Sequence, residues 1–180
     1  METATLAGGC FWCTEAIFKR LKGVKSVNPG YTGGVNENPT YQEVCSGTTG
    51  HAEAIQIEFN PKEISYEKLL EVFFALHDPT TLNRQGSDTG TQYRSAIFYQ
   101  TEKQKQTAES VKTRLDQSGH YPDKIVTEIV PFLKFYIAEN YHQNYFDSNR
   151  TAPYCQAVID PKIKKLFENF KDDLTDDAAG

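Results

Sequence analysis

Two cysteines, Cys10 and Cys13, flank Phe11 and Trp12 directly after Gly8-Gly9. The apolar stretch Ala4 to Ala7 before them reads as a strand, and Ala16, Ile17 and Leu21 after them keep helical spacing. Cys10 therefore falls at a strand-to-helix turn. Free N–H groups and the dipole at a helix start favour a thiolate, and the two glycines permit the backbone angles of a sharp turn. The pattern points to a reactive thiol rather than a small cysteine packed like alanine. Two other chemistries share the C-x-x-C spacing. A zinc site needs two more ligands at matching spacing, and Cys45 and Cys155 have no paired partner near them. A thioredoxin-like dithiol is the better rival, although the motif here precedes any full βαβ unit and the chain is longer than such a domain requires.

Glu53 is the most informative carboxylate. In the alternating run Ala52 to Phe59 it shares a face with Ile55, Ile57 and Phe59, opposite Gln56 and Glu58. A carboxyl group on an apolar face is desolvated, which raises its pKa and fits it to act as a general acid. The other reading is a strand end that reaches solvent; the pattern does not choose between them. Asp88 reads as a turn former, and Tyr41 and Tyr93 as amphipathic packing residues. Glu139 and His142 have the E-x-x-H spacing of di-iron bundles, but no second copy exists, so a packed or capping histidine is the better account. No phosphate-binding glycine loop and no G-x-S-x-G elbow is present.

The elements around these residues follow from periodicity and breakers. The first helix should end with Lys19, Arg20 and Lys22 in its last turn and Gly23 as C-cap. Val24 to Val27 starts a strand that Asn28-Pro29-Gly30 should break, and Val35 to Gly50 is loop with one helical turn at Tyr41 to Cys45. Ala52 to Phe59 is the clearest strand. Ser65 caps a helix carrying Leu69, Leu70, Phe73 and Phe74 up to Asp78-Pro79, and Thr80 to Arg94 is a long loop of the kind that is usually functional. Ser95 to Tyr99 is a strand, Thr101 to Ser118 an exposed helix, Lys124 to Val130 a strand, and Phe135 to Phe146 a helix. Thr151 to Pro161 connects to a last helix with Ile163, Leu166, Phe167 and Phe170, followed by a solvated acidic tail, Asp172 to Asp177. The irregular alternation of strands and helices predicts a two-layer α/β (α+β) domain spanning 1–180, with residues 156–180 as helix and tail.

Composition narrows the function classes. The 180 residues carry 38% apolar and 24% charged types, with a mean hydropathy of -0.57, and no apolar run is long enough to span a membrane. A net charge of -5 has the wrong sign for unspecific nucleic-acid binding, and 22 aromatic residues are too many for a disordered chain. Four cysteines are too few for a disulfide framework, and the first residues lack a secretory pattern, so a reducing cytoplasm is the expected compartment.

Taken together, Gly8-Gly9-Cys10-Phe11-Trp12 with Glu15, Gly30-Tyr31-Thr32-Gly33-Gly34, Asn38-Pro39-Thr40-Tyr41, Cys45-Ser46-Gly47, Gly50-His51-Ala52-Glu53-Ala54, His77-Asp78-Pro79-Thr80, the stretch from Gly86 to Ser95 and Ala138-Glu139-Asn140-Tyr141-His142-Gln143 resemble the peptide methionine sulfoxide reductase A family. The resemblance implies an α/β roll with a mixed central sheet and a ferredoxin-like core. It implies Cys10 as nucleophile, Phe11 and Trp12 around the substrate methyl group, and Glu53, Tyr41 and Tyr93 around the sulfoxide oxygen, with Asp88 in support. It further implies methionine S-sulfoxide, in peptides or free, as substrate, thioredoxin as reductant, and no cofactor or metal; a monomer is expected. The alternative from another class is a general thiol–disulfide oxidoreductase using Cys10 and Cys13. Many family members have Gly where this chain has Cys13, and the segments that supply recycling cysteines vary.

Two cysteines could resolve an oxidised Cys10. Residues three apart on a helix have Cβ atoms about 5–6 Å apart, beyond the ~3.8 Å of a disulfide, unless Cys10 sits just outside the first turn. Cys155 lies in the connecting segment, which could swing to the site, and the family commonly uses a carboxy-terminal cysteine. Cys155 is therefore the expected resolving residue, with Cys13 second and a relay through both third; Cys45 is expected to take no part.

Overall fold

The computed structural model describes residues 1–178. Six strands form one mixed sheet in the order β7-β6-β1-β3-β2-β8, in which β1 is Glu2–Gly8, β2 Val24–Thr32, β3 Ala52–Phe59, β6 Ser95–Tyr99, β7 Glu128–Pro131 and β8 Phe135–Ile137. All pairs are antiparallel except β6 with β7, which are joined through a helix and run parallel. A small hairpin, β4 (Arg84–Gln85) and β5 (Asp88–Thr89), stands apart in the long loop before β6. The helices are α1 (Phe11–Phe18), α2 (Tyr41–Cys45), α3 (Tyr66–Ala75), α4 (Glu102–Gln117), α5 (Tyr145–Ser148) and α6 (Asp160–Phe170). This is the mixed-sheet α/β architecture expected.

The strand β3 keeps its predicted bounds and faces. Ile55, Ile57 and Phe59 join Leu6, Phe11, Ile17, Phe73 and Phe74 in the main core beneath the helices, whereas Ala52 and Ala54 pack with Ala7, Ala96 and Phe98 on the other side. The expected caps are present: Ser65 accepts from the Lys68 N–H at the start of α3, and Thr101 from the Gln104 N–H at the start of α4. At α2, Thr40 and Glu43 form a reciprocal capping box.

Several local expectations fail, most of them to a tertiary contact. The stretch 135–146 is not one helix: β8 pairs with β2, a one-turn 3-10 helix spans Asn140–His142, and Asn144 takes a left-handed conformation before α5. Asn28-Pro29-Gly30 does not break β2. The Pro29 carbonyl accepts the Ala138 N–H at 2.9 Å, and Gly30 lies against the β8 backbone at Tyr136, where a side chain would collide. The third helix-to-strand segment starts its strand at Glu128 rather than Lys124, because the N–H groups of Ile125 and Val126 go to Asp116 and to the Pro79 carbonyl. Helix α1 stops at Phe18, since Leu21 bridges to Leu174 and the Lys22 N–H donates to the Asp173 carbonyl. Thus the backbone of the acidic tail is docked, although Asp172 is exposed and Asp173 half-buried. Finally, Cys155 does not lie on a loose connection. Cys155–Ile159 form a turn of π-helix that runs straight into α6.

Candidate active site

The strand-to-helix turn places Cys10 at the start of α1, where the spacing puts it. Gly9 has φ +91°, and a Cβ there would meet the Gln85 side chain at 2.6 Å, so both the turn and the close approach require glycine. Gln85 is itself anchored by two 2.9 Å hydrogen bonds with the Asp78 backbone. Cys10 is the N-cap of α1, with extended backbone angles, and its carbonyl accepts the Cys13 N–H at 3.1 Å. Its environment differs from expectation. Cys10 is buried, 7% exposed, and burial, the Cys13 thiol and the Glu53 charge push its pKa well above that of a free thiol. Desolvation outweighs the helix N-terminus here. Cys13 is the more acidic partner: a hydrogen bond from Cys10, against the cost of burial, brings it down to about 7, with Lys162 and Tyr154 contributing.

Glu53 resolves the ambiguity left by its strand. It is 2% exposed, and one carboxyl oxygen accepts the Phe11 N–H at 3.1 Å, one residue past Cys10. Burial raises its pKa to about 8, opposed by that hydrogen bond and reinforced by the charges of Asp88 and Cys13. The carboxyl is therefore mostly protonated at neutral pH. Tyr41 and Tyr93 arrive from α2 and from the turn Thr91–Tyr93; burial, with the Glu53 charge contributing to both, raises both phenol pKa values, so both remain proton donors. Trp12 stacks flat on Tyr145, with ring centres 3.7 Å apart, and Phe11 packs between Tyr31 and His142. Asp88, on β5, accepts the Tyr154 hydroxyl at 2.7 Å.

The chain's three distant thiols converge. Cys10, Cys13 and Cys155 share one apolar cluster with Ala16, Phe146 and Ile159, and Tyr93 and Tyr154 pack at its margin. All are free thiols, and Cys155 is fully buried with its pKa raised by that burial. Cys45 stands outside the cluster, beside the Tyr41 hydroxyl. Tyr154 escapes a sequence reading, and Glu139, read there only as half of an E-x-x-H spacing, takes a different place. Tyr154 touches both Asp88 and the Cys13 sulfur, the latter at 3.8 Å, with only its place next to Cys155 as a signal. Glu139 accepts from the Tyr31 hydroxyl at 2.9 Å and the Tyr41 N–H at 3.1 Å, which ties the loop before α5 to the site. His142 is packed, as its isolated motif suggested, but against Trp12 and Tyr41. Among the described residues no group of three or more His, Cys, Asp or Glu is placed to hold a metal ion, and no helix is long and apolar enough to cross a membrane.

A buried thiol at a helix cap, a carboxyl whose pKa is raised to about 8 beside it and two further thiols in the same cluster are the groups of a thiol oxidoreductase. Residues 2–174 match the family model of peptide methionine sulfoxide reductase. The peptide methionine sulfoxide reductase MsrA of Sulfolobus acidocaldarius is 58% identical over 172 residues, covering 96% of this chain and 97% of the relative. Mxr1 of Saccharomyces cerevisiae in its reduced form superposes with a TM-score of 0.78 at 37% identity, over 86% of this chain and 88% of that one. The same yeast protein in complex with Trx2 gives 0.55 at 27% identity, over 80% and 84%. The chain belongs to the peptide methionine sulfoxide reductase family, and its reaction is the reduction of methionine sulfoxide to methionine.

Proposed function

We propose that residues 1–180 form a single catalytic domain that reduces the S-epimer of methionine sulfoxide, peptide-bound or free, with Cys10 as nucleophile and Glu53 as general acid. The observation that carries the assignment is the buried, protonated carboxyl of Glu53 held on the N–H next to Cys10. A sulfoxide oxygen leaves only once protonated. The Cys10 sulfur attacks the sulfoxide sulfur while Glu53 delivers its proton to the oxygen, with Tyr41 and Tyr93 donating hydrogen bonds to the same oxygen. The oxygen ends on Cys10 as a sulfenic acid, the thiol proton restores Glu53, and methionine departs; sulfur on the substrate is reduced by two electrons as Cys10 is oxidised by two. Phe11 and Trp12 take the methyl group, and Asp88 supports the pocket through Tyr154.

Recycling uses the clustered thiols. Cys13, hydrogen-bonded to Cys10 and the more acidic of the two, attacks the sulfenic sulfur and releases water as the Cys10–Cys13 disulfide forms. Cys155 then attacks the Cys13 sulfur, freeing Cys10 and passing the disulfide to Cys13–Cys155. An external dithiol reduces that bond. Yeast Mxr1 has been captured with Trx2, which supports thioredoxin in this role. The thiols supply both electrons, so the scheme uses no bound cofactor. A monomer working in a reducing cytoplasm completes the proposal.

Methyl p-tolyl sulfoxide with dithiothreitol tests the reading. Only one enantiomer should be converted to the sulfide, and Cys10→Ser should convert none. Equal consumption of both enantiomers, or turnover by Cys10→Ser, would remove the assignment.

A further inference from the structure

Trp12 is the only tryptophan in the chain, and its indole is gripped from two sides. One face lies on Tyr145, and the Nε1–H donates to Nδ1 of His142 at 3.0 Å. That hydrogen bond settles the state of the imidazole. Nδ1 can accept only when it carries no proton, so the neutral ring bears its hydrogen on Nε2. The Nε2 atom is buried and has no hydrogen-bond partner. The ring as a whole sits among aromatic side chains, its centre 5.0 Å from that of Phe11, 4.4 Å from Tyr41 and 4.1 Å from Tyr141. The imidazole is thus an acceptor aimed at one atom and otherwise a packing surface.

We propose that His142 is a positioning residue that sets the rotation of the Trp12 indole, so that recognition of the substrate methyl group is strongest when the imidazole is neutral. The proposal rests on the reading of Trp12 as a wall of the methyl pocket. Protonation of Nδ1 turns the acceptor into a donor facing another donor, and the indole must then leave its place against Tyr145 and Tyr154. The groups packed around the ring explain where the change falls. Phe11 and Trp12 come from α1 and Tyr41 from α2, and Tyr141 shares the 3-10 turn; none of these is charged at neutral or acid pH. The one carboxylate acting on the ring is Glu139, whose hydrogen bonds hold it ionised against the effect of burial. It opposes but does not overcome the burial that lowers the His142 pKa. The transition therefore lies below the ordinary imidazole value of about 6.5. Across that range Glu53 stays protonated and contributes nothing to the change.

The test follows Trp12 emission and substrate binding from pH 8 downward in the full chain, with far-UV circular dichroism to show that the fold persists. A neighbouring imidazolium quenches indole emission, so wild-type emission should fall through a single transition below pH 6.5. The half-saturating concentration of methyl p-tolyl sulfoxide in single-turnover reduction should rise about fivefold through the same transition, the scale of one lost hydrogen bond. In His142→Asn, whose side-chain oxygen can take the position of Nδ1 without titrating, emission should stay level and half-saturation should move by less than about twofold. Wild-type emission that does not titrate, or a His142→Asn protein that titrates like wild type, overturns the coupling. A Trp12→Phe protein with unchanged half-saturation at pH 7 removes Trp12 from the pocket. That result overturns the link to recognition together with the pocket reading, and it is distinguishable because the His142-dependent emission change would persist in wild type.

Discussion

Glu53 is held in a state that the fold tolerates at a cost. Its carboxyl titrates near pH 8 in the folded chain, against about 4.5 when exposed. Between those values the unfolded chain binds fewer protons, so this residue lowers stability as pH rises through the window. Glu53→Gln keeps the shape and the oxygen that accepts the Phe11 N–H, yet it cannot ionise or deliver a proton. The variant should therefore be slower and more stable at once. Single-turnover reduction should fall by roughly 10²–10⁴ with a much smaller change in substrate affinity. In urea titrations its advantage over wild type should be small at pH 5 and reach about 3–5 kcal/mol at pH 8, at about 1.4 kcal/mol per unit of pKa shift. Equal stability at pH 8 would mean that the carboxyl is ionised, and it could not then be the acid.

At the scale of elements, the turn into α1 and the π-helix before α6 bring the thiols together. Gly9 serves the first through its positive φ and through the space it leaves for Gln85. Gly9→Ala should cost about 1–3 kcal/mol from the backbone conformation alone. Gln85→Gly in the same chain removes both the Cγ and the Cβ that a side chain at position 9 would meet, and should recover only the part due to the collision, which thermal melts of Gly9→Ala, Gln85→Gly and the double variant would separate. The π-helix bears on recycling. As the N-cap, Cys10 lies just outside the first turn, which is the arrangement that allows Cys13 to bond with it. Cys155, by contrast, is locked into a helical turn. After one equivalent of substrate and an acid quench, Cys155→Ser should accumulate the Cys10–Cys13 disulfide, and thioredoxin-driven turnover should slow while the first turnover is kept. In Cys13→Ser, a Cys10–Cys155 bond should form more slowly. If peptide mapping finds that bond forming at the wild-type rate, the relay is absent and Cys155 resolves directly.

For the whole molecule, two buried groups pull the pH dependence of stability in opposite directions. His77 lies between α3 and β6, bonded to the Phe73 carbonyl and to Ser95, which continues to Thr127. Burial lowers its pKa to about 4, so it is neutral in the fold and charged in the acid-unfolded chain. The stability it confers is complete above about pH 6.5 and is lost as pH falls toward 4, again at about 1.4 kcal/mol per unit. Between pH 4.5 and 6.5 this slope and that of Glu53 nearly cancel. Glu53→Gln should therefore reveal a stability that climbs with pH in that window, whereas His77→Gln should reveal one that falls. Parallel wild-type and variant slopes in chemical denaturation would show that neither group carries this linkage.

The local sequence determined those parts of the protein whose cause is local. Strand β3, the one-turn helix at Tyr41–Cys45, the Ser65 cap and the bounds of β6 follow from alternation, capping and breakers within a few residues, and all are observed. The turn presenting Cys10 is local in the same sense, and the apolar face of β3 already marked Glu53 as the carboxyl to watch. Only the tertiary structure could decide what those groups are. The Cys10 thiol is governed by desolvation and by Cys13 rather than by its helix end, and Glu53 is protonated because α1 closes over it. Residues 135–146 become a strand and short turns because the edge of β2 offers hydrogen bonds that a helix there would forgo. Tyr154, His142 and Cys155 enter the site from the far end of the chain, at sequence separations where no periodicity can report contact. Burial and charge are properties of everything that surrounds an atom, and a single sequence lists only the neighbours along the chain.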